Sequence, residues 1–172
     1  LILNNRLVAG ERGMTGEIGH MTTHPGGRLC GCGQRGHMEA YAGRAGLEAE
    51  ARRRHSAGEE NELVRLAGEG RIKSSFIAKA IAAEDTVTLE LIEEAVQALA
   101  LSIGSIATLL DLPLVVLGGG VVDRLGQDFL DRIHESESFG GFGNHVCELR
   151  LAKRLDDAGV VGAAILAADA LS

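Results

Sequence analysis

The sequence predicts an α/β fold, and three features of its second half carry that prediction. A long helical pattern over 86–110 is followed by the apolar run Leu114–Leu117, which has the length and composition of a buried strand. The glycine triplet Gly118–Gly120 follows this run directly. A further helical pattern and an alternating, strand-like segment come next, and strands that alternate with helices are typical of α/β proteins.

The remaining elements are predicted in chain order from periodicity and turn residues. Leu1–Val8 has strand character, with Asn4 and Asn5 as a hairpin turn, and residues 13–33 are glycine-rich and irregular. Helices are predicted over 37–55, 59–67, 73–83, 86–110, 128–134 and 158–171, a further strand over 146–151, and a loop with glycine and phenylalanine over 138–144.

The helix over 86–110 has the strongest pattern in the chain. Asp85 or Thr86 can cap its N-terminus, and Pro113 ends it. Gly104 lies inside it and costs about 1 kcal/mol relative to alanine, so we expect a close contact with another element there. An apolar stripe at spacings of three and four residues is predicted to face the core: Leu89, Ile92, Val96, Leu99, Ile103, Ile106 and Leu110.

Composition limits the classes of function. The 172 residues are 45% hydrophobic and 24% charged, a globular balance, and the net charge of −7 argues against a nucleic-acid surface on this segment. The run Arg52–Arg54 is interpreted as a solvated helix end. No signal peptide and no apolar run of the ~18–20 residues of a membrane span is found. Three cysteines, two of them in Cys-x-Cys, make no disulfide framework, so a cytoplasmic protein is expected.

A cluster of metal-ligand residues lies in the glycine-rich segment. His20, Cys30, Cys32 and His37 combine the thiolates and imidazoles that tetrahedral zinc prefers. Four such ligands close the coordination shell and predict a structural zinc site, with nearby glycines letting the backbone fold around the ion. The alternative is two free cysteines and two ordinary histidines. His24 precedes a Pro-Gly-Gly turn and is expected to face solvent.

Two acidic residues flank this cluster. Glu17 precedes His20 by three positions, and Glu39 follows His37 by two. Carboxylates fixed beside a rigid loop are good acceptors for vicinal hydroxyls such as those of a sugar. The alternative is a pair of surface acids, with Glu39 placed favourably in the first turn of a helix.

The segment 16–39 closely resembles the ROK family of repressors, open reading frames and sugar kinases. Its Glu17-Ile-Gly-His20 and Cys30-Gly-Cys-Gly-Gln-Arg-Gly-His-Met-Glu39 match the family pattern, except that His37 stands where the family has a third cysteine. The resemblance continues through 109–121 and 157–164. It is closest to glucokinase-like members.

The resemblance implies the C-terminal lobe of an actin-like ATPase (ribonuclease H-like) fold over 1–172, with a zinc-stapled loop. It implies that Glu17, His20 and Glu39 contact a hexose, and that Gly118, Gly119 and Gly120, within a segment 113–124, lie on the nucleotide side. Taken alone, the glycine triplet could equally be a tight turn. ATP and Mg²⁺ would serve the full-length protein, and a homo-oligomer without membrane contact is expected.

The sequence begins inside a strand-like segment, so an N-terminal lobe with the phosphate loop and the catalytic Asp is expected upstream. No catalytic residue is assigned here, and the chain alone is expected to be inactive. Three functions stay open: a hexose kinase lobe, which is favoured; the inducer-binding domain of a sugar-responsive repressor, whose upstream segment would bind DNA; and a zinc-stapled oligomerisation domain.

Overall fold

The structure is a computed structural model that describes residues 1–4, 6–140, 147–153 and 157–169. It begins with a short antiparallel hairpin of β1 (Ile2–Leu3) and β2 (Arg6–Leu7). Asn4 has a left-handed φ of 50°, as a tight hairpin turn requires. The other predicted turn residue, Asn5, lies outside the described residues.

The helices and the second pair of strands follow in the order predicted. Their bounds are α1 Glu39–Ala42, α2 Arg44–Ser56, α3 Glu62–Ala67, α4 Ser74–Ala82, α5 Thr86–Leu110, β3 Leu114–Leu117, α6 Gly120–Glu135, β4 Glu148–Leu151 and α7 Ala158–Asp169. Of the predicted segments, residues 141–144 of the loop over 138–144, Val146, Ala170 and Leu171 lie outside the described residues.

Two predicted helices differ from the observed ones because of glycine. The helix expected over 37–55 is interrupted at Gly43, whose ψ of 141° is extended; a Cβ there would lie 2.6 Å from the Glu39 carbonyl oxygen. The helix expected over 128–134 begins at Gly120 and is kinked at Gly126, where φ is 66°. The triplet Gly118–Gly120 is also typical of a turn, which is why the sequence does not indicate a helix there. Glycine nevertheless allows a helix to begin directly after a strand.

The core is built around α5, as its pattern predicts. Asp85 is the N-cap, and its carboxylate accepts a hydrogen bond from the Thr88 backbone N–H. The expected close contact at Gly104 is confirmed, since a Cβ there would lie 3.0 Å from the carbonyl oxygens of Ser138 and Phe139. The prediction of which residues face the core is wrong at both ends of the helix, because Leu89 and Leu110 are exposed while Leu91 is buried.

Length and composition alone would let α5 cross a membrane, although no uninterrupted apolar run stood out in the sequence. In its most apolar window, however, 61% of the residues are buried within the protein. The helix packs against α1, α2, α4 and α6. These contacts identify it as a core helix.

The strands β3 and β4 pair in parallel, with Leu114 opposite Glu148 and Leu117 opposite Leu151. Helix α6 lies in the crossover connection between these two parallel strands and packs against β4. This arrangement confirms the α/β class. The prediction that β3 is buried is wrong, since Val116 is 55% exposed. Residues of the opposite pleat, Val115 and Leu117, pack on the core, whereas no described element covers the outer pleat.

Candidate functional site

The candidate site is a folded loop over 20–38 that is held by backbone hydrogen bonds. Isolated antiparallel bridges join Thr22 to His37 and Leu29 to Arg35. At its tip, the Cys30 N–H donates to the Gln34 carbonyl over 2.8 Å. The bridge at Thr22 brings the two ends of the loop together, so the rings of His20 and His37 lie 5.3 Å apart between centroids.

Glycine is required at the base of this loop. Gly36 has a φ of 78°, and a Cβ there would lie 1.8 Å from the His24 carbonyl oxygen. Its carbonyl accepts hydrogen bonds from the N–H groups of Thr23 and His24. Any side chain at this position would open the loop just before His37.

The four predicted metal ligands converge in the structure. His20, Cys30, Cys32 and His37 each offer one donor atom, and these atoms all lie within 4.8 Å of one another. The Cys30 sulfur is 3.8 Å from His20 Nδ1, and the Cys32 sulfur is 3.3 Å from His37 Nδ1. Tetrahedral zinc with ordinary Zn–S and Zn–N bonds would place such donors about 3.5 Å apart. The residues therefore fit this ion.

Cys30 is the buried member of the cluster, at 3% exposure. Burial raises the pKa of its thiol to about 11, and the hydrogen bond that it donates to Glu39 Oε1 over 2.7 Å adds to the rise. Without an ion the Cys30 side chain is therefore a neutral thiol at pH 7. Metal binding must displace its proton, because thiolate is the ligand form.

The two predicted sugar-binding acids lie on either side of His20. Glu17 Oε2 is 3.9 Å from His20 Nε2, and Glu39 Oε1 is 3.6 Å from His20 Nδ1. All three side chains are between 38% and 62% exposed. The acids and one donor of the metal cluster thus form one accessible group.

The predicted solvent-facing position of His24 is wrong. Its ring stacks on the Tyr41 ring with 4.0 Å between centroids, and the residue is half-buried. Tyr41 lies in α1 and is buried in the core. The stack joins the loop to the helix, which the sequence around His24 does not indicate.

The interpretation of Arg52–Arg54 as a solvated run holds for Arg53 but is wrong for Arg54. The Arg54 side chain is 12% exposed and forms ion pairs with Glu50, Glu90 and Glu94. These carboxylates lie on α2 and α5. The run therefore includes an internal link between two helices.

The glycine triplet lies elsewhere in the fold, where β3 ends and α6 begins. Gly119 has a φ of 106° and is the N-cap residue of α6. A Cβ on Gly120 would lie 3.3 Å from the Ser74 hydroxyl at the start of α4. Strand, glycine turn and helix N-terminus follow one another here, in the order in which phosphate-containing ligands are often bound.

Sequence reasoning missed Arg28, a residue of this loop whose side chain is 14% exposed. Its guanidinium pairs with Glu50 and Glu94. Glu94 is 66 positions away in the sequence, so neither spacing nor periodicity could have connected the two residues.

Comparison with known proteins supplies the wider context. The ROK family sequence model matches residues 1–170. N-acetylmannosamine kinase of Haemophilus influenzae strain PittEE is 30% identical over 99% of this chain and 51% of its own length. Glucokinase of Streptomyces coelicolor is 33% identical over 97% of this chain and 55% of its own length. The chain thus spans about half the length of these relatives.

Solved structures resemble the fold over nearly its whole length. A ROK family glucokinase from Streptomyces griseus, crystallised with glucose and AMPPNP, has a TM-score of 0.78 and 32% identity over 96% of this chain and 55% of its own. A ROK family transcriptional regulator, a homologue of the E. coli MLC protein, has a TM-score of 0.76 over 95% of this chain and 41% of its own; at 23% identity it supports the fold alone. The fold class is that of the actin-like ATPases.

Proposed function

This chain belongs to the ROK family, and from that premise we propose that it is the sugar-binding, zinc-containing C-terminal lobe of a ROK sugar kinase. The observation that carries the proposal is the accessible group of Glu17, His20 and Glu39, in which one residue is also a donor of the metal cluster. In the full-length protein the reaction would be ATP-dependent phosphorylation of a hexose such as glucose.

The sugar-binding role rests on the chemistry of the three side chains. The carboxylates of Glu17 and Glu39 accept hydrogen bonds from hydroxyl groups, and vicinal hydroxyls can span two acceptors. His20 would give Nδ1 to the metal, as the distance to the Cys30 sulfur supports. Its Nε2 would then carry the proton and donate to a sugar oxygen.

Zinc would act here as a structural ion. When bound it supplies a rigid, four-coordinate centre that joins the two sides of the loop over 16–39. The protein's own residues would orient the sugar: the metal-held His20 at one side and Glu39, in the first turn of α1, at the other.

The nucleotide side is proposed for the segment 113–124. The N-terminus of α6, with Gly118–Gly120 before and within its first turn, offers backbone N–H groups with no side chain in the way. The binding site for ATP and Mg²⁺ would be completed by residues outside this chain. We assign no catalytic group to the chain itself. A cytoplasmic homo-oligomer is part of the same proposal.

The second candidate function is the inducer-binding domain of a sugar-responsive repressor. The structural likeness to a ROK transcriptional regulator supports this second function. The same three residues would bind the inducer, and DNA would be bound by a segment outside this chain.

An ADP-release assay with the purified full-length protein tests the choice. With ATP, Mg²⁺ and glucose, mannose, N-acetylglucosamine or N-acetylmannosamine supplied in turn, the kinase proposal requires sugar-dependent turnover. Sugar binding by calorimetry without turnover would instead support the repressor, and neither binding nor turnover with any hexose would leave only the oligomerisation domain.

Elemental analysis tests the metal. We expect about one zinc per chain in the wild type and a clear loss in Cys30→Ser, since thiolate ligands supply much of the affinity. Cys147→Ser is the matched control, because Cys147 is buried away from the cluster. A well-folded wild type without zinc would refute the metal centre.

A further inference from the structure

Arg28 lies two positions before Cys30, yet its side chain points away from the metal donors and into the helices. The side chain is 14% exposed. Its Nε is 3.5 Å from Glu50 Oε2 on α2, and its Nη2 pairs with Glu94 Oε2 on α5. The guanidinium carbon lies 4.6 Å from the centre of the Tyr41 ring. One loop residue therefore contacts three helices.

The backbone of Arg28 holds the loop itself. Its N–H donates to the Tyr41 hydroxyl over 3.0 Å, and its carbonyl accepts from the Gly36 N–H over 2.8 Å. Gly36 precedes His37, so this second bond joins the segment that leads to the cysteines with the segment that leads to the last histidine. The position of Arg28 thus sets the spacing between both halves of the donor set.

The rest of the loop has few anchors of this kind. Cys32 and Leu29 are exposed, and the connections around the tip are short backbone bonds. When a loop becomes ordered only on binding a metal, the loss of conformational entropy lowers its affinity for the metal. A loop that is already held in place avoids this cost. The planar fork of arginine suits this purpose, because it can meet two carboxylates at once.

Stability alone does not account for the arrangement. Arg28 Nη1 is buried and has no hydrogen-bond partner among the described residues, which is costly for a charged group. Glu50 and Glu94 also have a second partner in Arg54, so the two helices are already linked without Arg28. What Arg28 adds is the connection from that pair of helices to the loop.

We propose that Arg28 is a positioning residue for the metal centre: anchored on Glu50 and Glu94, it holds the loop in the geometry that retains zinc. The inference rests on the proposed zinc site. It differs from a general stabilising role, because it predicts an effect on zinc retention beyond any effect on folding.

Zinc release from the purified full-length protein to excess 4-(2-pyridylazo)resorcinol measures that effect. Arg28→Met removes the charge and keeps an unbranched apolar side chain, and Arg28→Lys keeps the charge without the fork. We expect release about tenfold faster or more in Arg28→Met and an intermediate rate in Arg28→Lys. Arg65→Met is the matched control, since Arg65 pairs with Glu62 within α3, and it should release zinc at the wild-type rate.

A second comparison separates positioning from stability. Glu94→Gln should also accelerate release, and combining it with Arg28→Met should add little, because both changes remove the same anchor. The melting temperature of the zinc-free proteins records the general effect on folding. If Arg28→Met does not fold, Arg28→Lys and Glu94→Gln carry the test.

Wild-type release rates in Arg28→Lys and Glu94→Gln, and in Arg28→Met where it folds, would overturn the inference even if these variants melt at lower temperature. A wild type that binds no zinc gives a different result: it refutes the metal centre proposed above, and the positioning role falls with it. Zinc-loaded wild type with unaffected variants refutes the positioning role alone.

Discussion

At the residue scale, His37 alters the charge of the candidate metal centre. With two thiolates and two imidazoles the donor set balances the charge of Zn²⁺, whereas a third cysteine would leave one net negative charge. A zinc-loaded centre would thus be neutral, and its donor His20 lies beside Glu17 and Glu39. A zinc centre of this composition would therefore place no extra negative charge beside these two carboxylates.

Glu17→Gln and Glu39→Gln in the full-length protein should weaken sugar binding and leave the zinc content unchanged. Each replaces a charged acceptor, which is worth about 1.5–3 kcal/mol per hydrogen bond, or about ten- to hundredfold in affinity. Isothermal calorimetry with the preferred hexose measures this, with the exposed Glu69→Gln as control. Unchanged affinity in both variants would remove these acids from the sugar site.

At the element scale, α2 and α5 are joined by the carboxylates and guanidinium groups described above. The hydrogen bond from Arg53, with Arg28 and Arg54 nearby, lowers the pKa of Glu50 from 4.5 to about 2, although burial opposes the shift. A carboxyl whose pKa is lowered by folding stabilises the folded state above its unfolded-state pKa. That contribution is lost as the pH falls from about 5 towards 2.

Glu50→Gln should therefore lower the free energy of unfolding at pH 7 by about 2–3 kcal/mol. The difference from the wild type should shrink as the pH falls towards 2, because the wild-type carboxyl then becomes protonated as well. Urea unfolding at a series of pH values measures it. Glu148→Gln is the control: this acid pairs with Arg150 but is 53% exposed, so solvent screens the pair and a much smaller change than at Glu50 is expected. A pH-independent difference at Glu50 would contradict the argument.

Asp85 connects two further elements. One carboxylate oxygen caps α5 through the Thr88 N–H at 2.8 Å, and the other accepts from the Glu62 N–H at the start of α3 over 2.9 Å. Asp85→Ala should destabilise the protein by about 1–3 kcal/mol, measured by urea unfolding. Asp131→Ala, an exposed aspartate on α6, should change stability by no more than about 0.5 kcal/mol. Equal effects of the two substitutions would rule out the double cap.

At the scale of the whole molecule, large apolar side chains are exposed on several of the described elements. Besides the outer pleat of β3, they include Leu109 at 80%, Val160 at 75% and Ile165 at 56% exposure. Exposed apolar side chains of this size are often covered by a partner surface. Since the chain spans about half the length of its relatives, the rest of a kinase is the proposed occupant.

A protein made of residues 1–172 alone should release no ADP with hexose, ATP and Mg²⁺, and it should self-associate. Phosphoryl transfer needs a phosphate cradle, a metal position and a group that orients the attacking hydroxyl, and this sequence contains no Gly-x-x-x-x-Gly-Lys loop. A coupled assay against the full-length protein and light scattering measure the two effects. Sugar-dependent turnover by the 172 residues would mean that the chain itself holds the catalytic base.

The sequence by itself determined the features that depend on neighbouring residues. The order of elements, the bounds of α5, its cap at Asp85 and the close contact at Gly104 follow from periodicity, capping chemistry and the cost of glycine. The convergence of His20, Cys30, Cys32 and His37 was predictable for the same reason. A loop of eighteen residues with glycines at its turns can bring its own donors together.

Only the tertiary structure decided which distant groups meet. The pairing of Arg28 with Glu94, the stacking of His24 on Tyr41 and the burial of Arg54 all join segments whose approach depends on how helices pack. The exposure of β3 is of the same kind: an apolar strand has the same sequence whether one or both of its faces are covered. Local sequence carries no record of these contacts, because packing free energy depends on which surfaces come together and not on their separation along the chain.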